Sequence, residues 1–179
     1  MKPLINDFTL QELTERITGT GEPAYRAKQI WQMIYRQFAA SPNDFSNMPK
    51  DLRQKLDDEY CFDPLQVEKD LKSSDGQTNK LLYRLWDGRM IESVLMRYRE
   101  RNTICISTQV GCPMNCAFCA TGQMGFTRNL SAGEIVAQIL YFARILKGEG
   151  KKLTNIVVMG MGEPFHNYDA VMKAIGISP

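Results

Sequence analysis

The chain has 179 residues, of which 44% are hydrophobic and 23% charged. That balance excludes a disordered or fibrous polymer and suits one mid-sized domain with room for a small accessory unit. A formal net charge of +2 supplies no bulk basic field, so any nucleic-acid contact must come from a local patch.

The segment Met1 to Asp7 has no apolar stretch of the signal-peptide kind, and no run in the chain approaches the roughly 18 apolar residues of a membrane span. A cytoplasmic protein without membrane contact is expected. Five cysteines are present, and Cys112, Cys116 and Cys119 fall within eight residues. Such clustering without a secretion signal points to metal binding or catalysis rather than a disulfide framework.

Thr9 and Glu12 form a capping-box pattern that predicts a helix ending near Gly19. A second helix is expected from Ala24 to Phe38, with Ile30, Ile34 and Phe38 on one apolar stripe beside Trp31 and Tyr35. Pro49 opens a third, with Leu52 and Leu56 inward. These make a helical accessory domain over residues 1–62. The texture then changes. Asp75-Gly76 and Asp87-Gly88 are hairpin turns between runs at Gln66–Ser73, Asn79–Trp86 and Arg89–Met96, an antiparallel β meander over 63–101. In its third strand, alternation puts Glu92 on one face with Val94 and Met96.

Over 102–179 the pattern becomes strand, helix, strand, helix. Thr103–Thr108 is β-branched, Ser131 and Glu134 cap a helix reaching Lys147, and Asn155–Met159 is a continuous apolar run of the kind covered on both faces. A last helix starts near Asn167. The fold class is therefore α/β: a small helical domain and a meander, followed by the first part of an incomplete (β/α) barrel.

Gly111-Cys112-Pro113-Met114-Asn115-Cys116-Ala117-Phe118-Cys119 has the spacing C-x3-C-x2-C. Three thiolates on one tight loop suit three irons of a 4Fe-4S cubane and leave the fourth iron open to a small molecule, here S-adenosylmethionine, through its amino and carboxylate groups. Phe118 would shield the cluster or stack near the adenine. The competing reading is a structural zinc site completed by His166, the only histidine; zinc sites usually pair ligands as C-x2-C knuckles, which this triplet fits poorly. Directly after the apolar run comes Met159-Gly160-Met161-Gly162-Glu163-Pro164. It falls at the carboxyl end of a strand, where open α/β sheets bind ligands, and its glycines allow close backbone approach.

With both pieces in view, the chain resembles the radical-SAM superfamily and, more closely, the RlmN-type dual-specificity methyltransferases. The residues carrying the likeness are Ile91–Val94, Thr103–Cys112, Gly125–Leu130 and Met159–Pro164. The resemblance implies methylation of carbon 2 of an adenine in 23S rRNA and in some tRNAs, with an electron donor such as flavodoxin or ferredoxin and a monomeric full-length enzyme. It implies that Cys112, Cys116 and Cys119 hold the cluster, that Gly162 and Glu163 contact S-adenosylmethionine, that Glu92 is the acid/base glutamate, and that Cys105 resolves a protein–RNA thioether. Cys61 has no counterpart and is expected to be structural. The family cycle uses two S-adenosylmethionine molecules and a methyl-carrying cysteine near the end of a chain about twice as long. The expectation is therefore a fragment, inactive alone in methyl transfer.

Two rivals stay open at this point: a relative that methylates carbon 8 of adenine, and a zinc-stabilised RNA-binding module. An RNA surface is suggested by Lys80, Arg84, Arg89, Arg97, Arg99 and Arg101, interleaved with Tyr83, Trp86 and Tyr98, and by Arg26, Lys28 and Arg36 on the second helix.

Overall fold

The computed structural model describes residues 2–178. A single 3-10 turn at Ile5–Asp7 precedes α1 (Leu10–Gly19), α2 (Tyr25–Tyr35) and α3 (Lys50–Glu59). The capping box of α1 is present: the Glu12 amide donates to Thr9 Oγ1 at 3.2 Å, and the Thr9 amide donates to Glu12 Oε2 at 2.7 Å. Helix α2 is shorter than its apolar stripe suggests. The chain leaves the helix after Tyr35, Phe38 takes φ 59°, and the Ala39 amide turns back to the Met33 carbonyl. The exit lays the Phe38 ring beside the Lys147 ammonium at 5.8 Å, so a contact with a distant helix overrides the local period.

The strands β1 (Gln66–Lys72), β2 (Thr78–Arg84), β3 (Met90–Arg97) and β4 (Asn102–Cys105) pair antiparallel in sequence order; β5 (Gln109–Gly111) and β6 (Phe126–Asn129) form a separate antiparallel ribbon; β7 (Asn155–Val157) joins β4 in parallel. One five-stranded sheet thus runs from the meander into the α/β part. The helices of that part are the short α4 (Ala120–Gln123), then α5 (Ala132–Gly148) and α6 (Tyr168–Ile177).

Alternation along β2 and β3 sends Leu81, Tyr83, Ile91 and Leu95 into the core, joined by Ile104 of β4. They share one cluster with Ile135, Val136, Ile139, Phe142 and Leu146 of α5. Each such side chain contributes about 1.5–3 kcal/mol on full burial, which makes α5 the helix that fixes the sheet. Tyr83 packs edge-on against Tyr141 at 5.4 Å and is fully buried, so it is a core residue and not the RNA-stacking side chain its position suggested. Every residue of β1 is exposed, and Glu68, Lys69, Asp70 and Lys72 suit a sheet edge.

The strand expected to be covered on both faces is a second edge among the described residues: it pairs with β4 alone, and Ile156 is 39% exposed. The continuous apolar run correctly marks a parallel strand, but the cover that such a run needs is not supplied by the described residues.

The helical unit is tied to the N-terminus of α5. The Gly133 amide donates to Asp7 Oδ1 at 2.6 Å, and a Cβ at Gly133 would come within 2.9 Å of the Asp7 amide nitrogen. Cys61 closes the same unit: its backbone bridges Leu4 in parallel, accepting from the Ile5 amide and donating to the Pro3 carbonyl. Among the described residues, no helix is long and apolar enough to cross a membrane.

Candidate functional site: the cysteine hairpin and the glycine turn

The cysteine loop is the connection of the β5–β6 ribbon. Its base is closed by the Cys112 amide, which donates to the Gly125 carbonyl at 3.0 Å. Gly111 makes this possible: its φ is +74°, and a Cβ there would lie 1.9 Å from the Gly125 oxygen. Within the loop, Asn115 takes φ 48° and the Cys119 amide donates to the Cys116 carbonyl. Gly122 packs on the same turn, where a Cβ would sit 3.0 Å from the Cys116 nitrogen.

All three thiols are free; Cys112 is buried, while Cys116 and Cys119 are half-buried. The loop carries no carboxylate or imidazole, and a donor set of thiols alone suits an iron–sulfur group. Among the described residues, no three Cys, His, Asp or Glu side chains converge as a formed metal site. The structure therefore brings the cysteines onto one loop without closing them around a point. Phe118 is 93% exposed and covers none of them.

The glycine turn lies against the residues that lead into this loop. The Gly160 amide donates to the Ile106 carbonyl, the Met161 amide to Ser107 Oγ at 2.8 Å, and the Glu163 amide to Gln109 Oε1 at 2.9 Å. In return, the Thr108 and Gln109 amides donate to the Met161 carbonyl. The glycines are required by approach: a Cβ at Gly160 would lie 2.7 Å from the Ile106 oxygen, and one at Gly162, whose φ is +105°, 2.6 Å from Gln109 Cβ. Glu163 starts the 3-10 turn Pro164–Asn167, its Oε1 accepting from the Phe165 amide at 3.0 Å. His166 lies exposed in that turn, with its Nδ1 3.3 Å from Gln109 Nε2 and its ring edge-on to Phe126.

A buried amide on α5 holds strand ends and turn in register. Gln138 Oε1 accepts from Ser93 Oγ at 2.6 Å and from the Ser107 amide at 2.9 Å, while its Nε2 donates to the Ser107 carbonyl. The Ser107 hydroxyl donates to the Glu92 carbonyl at 2.6 Å and accepts from Met161. Sequence reasoning missed Gln138, Ser107 and Gln109; polar residues inside an apolar helix and strand were the available signal.

Glu92 and Cys105 occupy the face of the sheet opposite α5. Cys105 pairs with Val94, two residues beyond Glu92 on β3, so the register puts both side chains on one face as diagonal neighbours. Glu92 Oε2 forms an ion pair with Lys80 Nζ at 2.8 Å, both side chains being about two-fifths exposed. Burial pushes the Cys105 thiol up, and a hydrogen bond with the Met159 backbone partly offsets it.

The basic stretch is largely self-neutralised. Lys80 pairs with Glu92, Arg84 with Glu68, Arg97 with Glu149, and Arg99 with Glu100. Arg101 lies over the Tyr98 ring at 4.5 Å. Presented to solvent are Arg89, Arg99, Arg101, Tyr98 and Trp86, together with Lys28 on α2 and Arg36 just beyond its end.

Arg128 has a role that its sequence position did not reveal. Its guanidinium makes a bidentate pair with Glu134 at 2.8 and 2.9 Å and a third bond to Asp87 Oδ2 at 2.7 Å. It thereby fastens β6 to the β2–β3 turn and to the first turn of α5. Glu134 and Asp87 hold this guanidinium firmly charged, although burial opposes it. Burial likewise works against the charge on Asp87, but Arg128 and the Arg89 amide outweigh it and keep that carboxyl below its ordinary range.

Comparison with known proteins places this arrangement. Residues 5–62 match the ribosomal RNA large subunit methyltransferase N-terminal domain, and residues 106–178 match the radical SAM superfamily. A probable dual-specificity RNA methyltransferase RlmN from Caldicellulosiruptor saccharolyticus is 48% identical over 99% of this chain and 50% of its own. Dual-specificity RNA methyltransferase RlmN 1 from Myxococcus xanthus is 46% identical over 96% of this chain and 48% of its own.

The crystal structure of a radical SAM methyltransferase from Sphaerobacter thermophilus superposes with a TM-score of 0.95 at 48% identity, covering 98% of this chain and 51% of that one. The chain thus spans about half the length of the relatives it matches. Two family models in the expected order, and close relatives along nearly the whole chain, make it a member of the RlmN family of radical-SAM RNA methyltransferases.

Proposed function

We propose that this chain provides the cluster-holding and S-adenosylmethionine-holding part of an enzyme that methylates carbon 2 of an adenine in 23S rRNA and tRNA. The observation that carries the reading is that the cysteine ribbon and the Gly160–Pro164 turn both hang on one short segment, residues 106–111, through the hydrogen bonds described above. Two ligand-sized features on one rigid strand end are what a two-part cofactor requires.

Held by Cys112, Cys116 and Cys119, a 4Fe-4S cluster would supply an open iron for S-adenosylmethionine and an electron, drawn from a donor such as flavodoxin or ferredoxin, for its reductive cleavage. Gly162 and Glu163 would meet the methionine end of that molecule, the glycines removing side chains from its path and the Glu163 carboxylate accepting from its ammonium. Glu92 would take a proton from the substrate. Its neighbour Lys80 orients the carboxylate at the open face, at 2.8 Å. Cys105, on the same face, would resolve the thioether; as a thiol raised by burial it needs a proton acceptor to become a nucleophile.

RNA would approach the exposed Trp86 and Tyr98 rings, with Arg89, Arg101 and the helical unit 1–62 meeting phosphates. A target adenine must leave its stack to present carbon 2. A cytoplasmic setting suits both the free thiols and the RNA.

Equilibrium dialysis tests the reading. The chain reconstituted anaerobically with iron and sulfide should retain S-adenosylmethionine and, given dithionite, release 5′-deoxyadenosine. Retention equal in iron-free protein, or absent after full iron loading, would defeat it.

A further inference from the structure

We propose that Gln109 is a positioning residue: a buried strut that couples the cysteine ribbon to the glycine turn, so that loading one segment with iron orders the other. The inference rests on the reading of those two segments as the holders of cluster and S-adenosylmethionine.

Gln109 is fully buried, and its side chain spans the two segments. On one side, Oε1 accepts from the Glu163 amide at 2.9 Å. On the other, Nε2 donates to Asn129 Oδ1 at 2.8 Å and reaches His166 Nδ1 at 3.3 Å. Asn129 is the residue paired with Gln109 across the ribbon, so the amide group braces the ribbon at the end opposite the cysteine loop. Gly162 presses on the same side chain, since a Cβ there would meet Gln109 Cβ at 2.6 Å.

The remaining links between these segments reach other points. Asn167 Nδ2 donates to the Thr108 and Leu130 carbonyls, behind the turn. Among the described residues, Gln109 is the side chain that bonds the peptide between Gly162 and Glu163. A buried amide with all its groups paired is stiff and specific; once truncated, it leaves the Glu163 amide and Asn129 Oδ1 without the partner it supplied to each. Two segments sharing such a strut cannot shift independently, and any ordering of the ribbon is felt at the turn.

Hydrogen exchange of the whole chain, before and after anaerobic loading with iron and sulfide, reads the coupling directly. In the unmodified chain, loading should slow deuterium uptake in the segment Gly160–Asn167 severalfold. Gln109→Leu should take up the same iron but lose that response, and should bind S-adenosylmethionine roughly tenfold more weakly, the loss expected for one buried hydrogen bond. Gln109→Glu keeps an acceptor for the Glu163 amide and, with the Asn129 amide turned so that its NH2 donates to the carboxylate, should restore most of the response. Gln109→Asn, one methylene shorter, should not, and it serves where the leucine variant fails to fold.

An undiminished response in Gln109→Leu or Gln109→Asn at equal iron would overturn the strut alone and leave the cofactor reading standing. A chain that takes up no iron would instead overturn the cofactor reading, and the strut proposal with it.

Discussion

The β1–β2 and β5–β6 ribbons differ in what their connections satisfy. Between β1 and β2 the turn closes on itself: the Ser73 amide donates to the Thr78 carbonyl, the Thr78 amide to Ser73 Oγ, and the Gln77 amide to Asp75 Oδ1, all at 2.9 Å. Between β5 and β6, fourteen residues from Cys112 to Gly125 are pinned at the base and folded on Gly122, yet they carry three free thiols and an exposed phenylalanine. One connection is a finished turn. The other has its backbone arranged and its side chains unspent, which is how a loop built for a ligand differs from one built for a fold.

Substitutions can break that contrast, and the largest effect should fall on the thiols. Cys116→Ala should abolish iron binding after anaerobic reconstitution, measured as iron per chain, whereas Cys61→Ala should leave it unchanged because Cys61 serves the Leu4 bridge. Equal loss in both would erase the distinction between ligand and structural cysteine.

Arg128→Leu comes next. It would strand Glu134, whose side chain is 2% exposed, and should cost about 3 kcal/mol in urea unfolding, within the range for breaking one partner of a buried pair. A loss of a few tenths would mean that the three bonds are ornamental.

The two ribbons can then be compared glycine for glycine. Gly111→Ala should cost about 2 kcal/mol, because both the positive φ and the contact at 1.9 Å oppose a side chain. Gly76→Ala meets nothing within 4 Å and should cost about 1 kcal/mol from φ alone. Similar values would show that the base of the cysteine loop yields easily.

The smallest effect is a dependence on pH. Asp87 is held below its ordinary range in the folded chain, so the stability it contributes is present above the carboxylate range and lost as the pH falls through its folded value. Thermal unfolding measured in increasing acid should fall less steeply in Asp87→Asn than in the unmodified chain. An unchanged slope would show that the Asp87 charge contributes nothing to the fold.

Much of this frame was legible in the sequence because it is local. Thr9 with Glu12 and Ser131 with Glu134 both form the capping boxes that their spacing predicts, and Gly76 and Gly88 turn the meander at φ +69° and +77°. The parts that escaped are those decided across the chain. Glu134 reads as a cap residue, yet it also receives Arg128. Tyr83 reads as a stacking ring, but α5 buries it.

The basic run reads as an RNA surface until Glu68, Glu92 and Glu149 are seen to claim three of its charges. The cysteine spacing was plain, but the ribbon that presents it was not: β5 and β6 are three and four residues long, with no alternation to announce them.

Metal content and visible absorption after anaerobic incubation of the chain with iron, sulfide and competing zinc decide what the cysteine ribbon holds. A brown protein with broad absorption and about four irons per chain is the expected result, as a cubane requires. A colourless protein holding one zinc, tetrahedrally saturated by protein ligands, would contradict it.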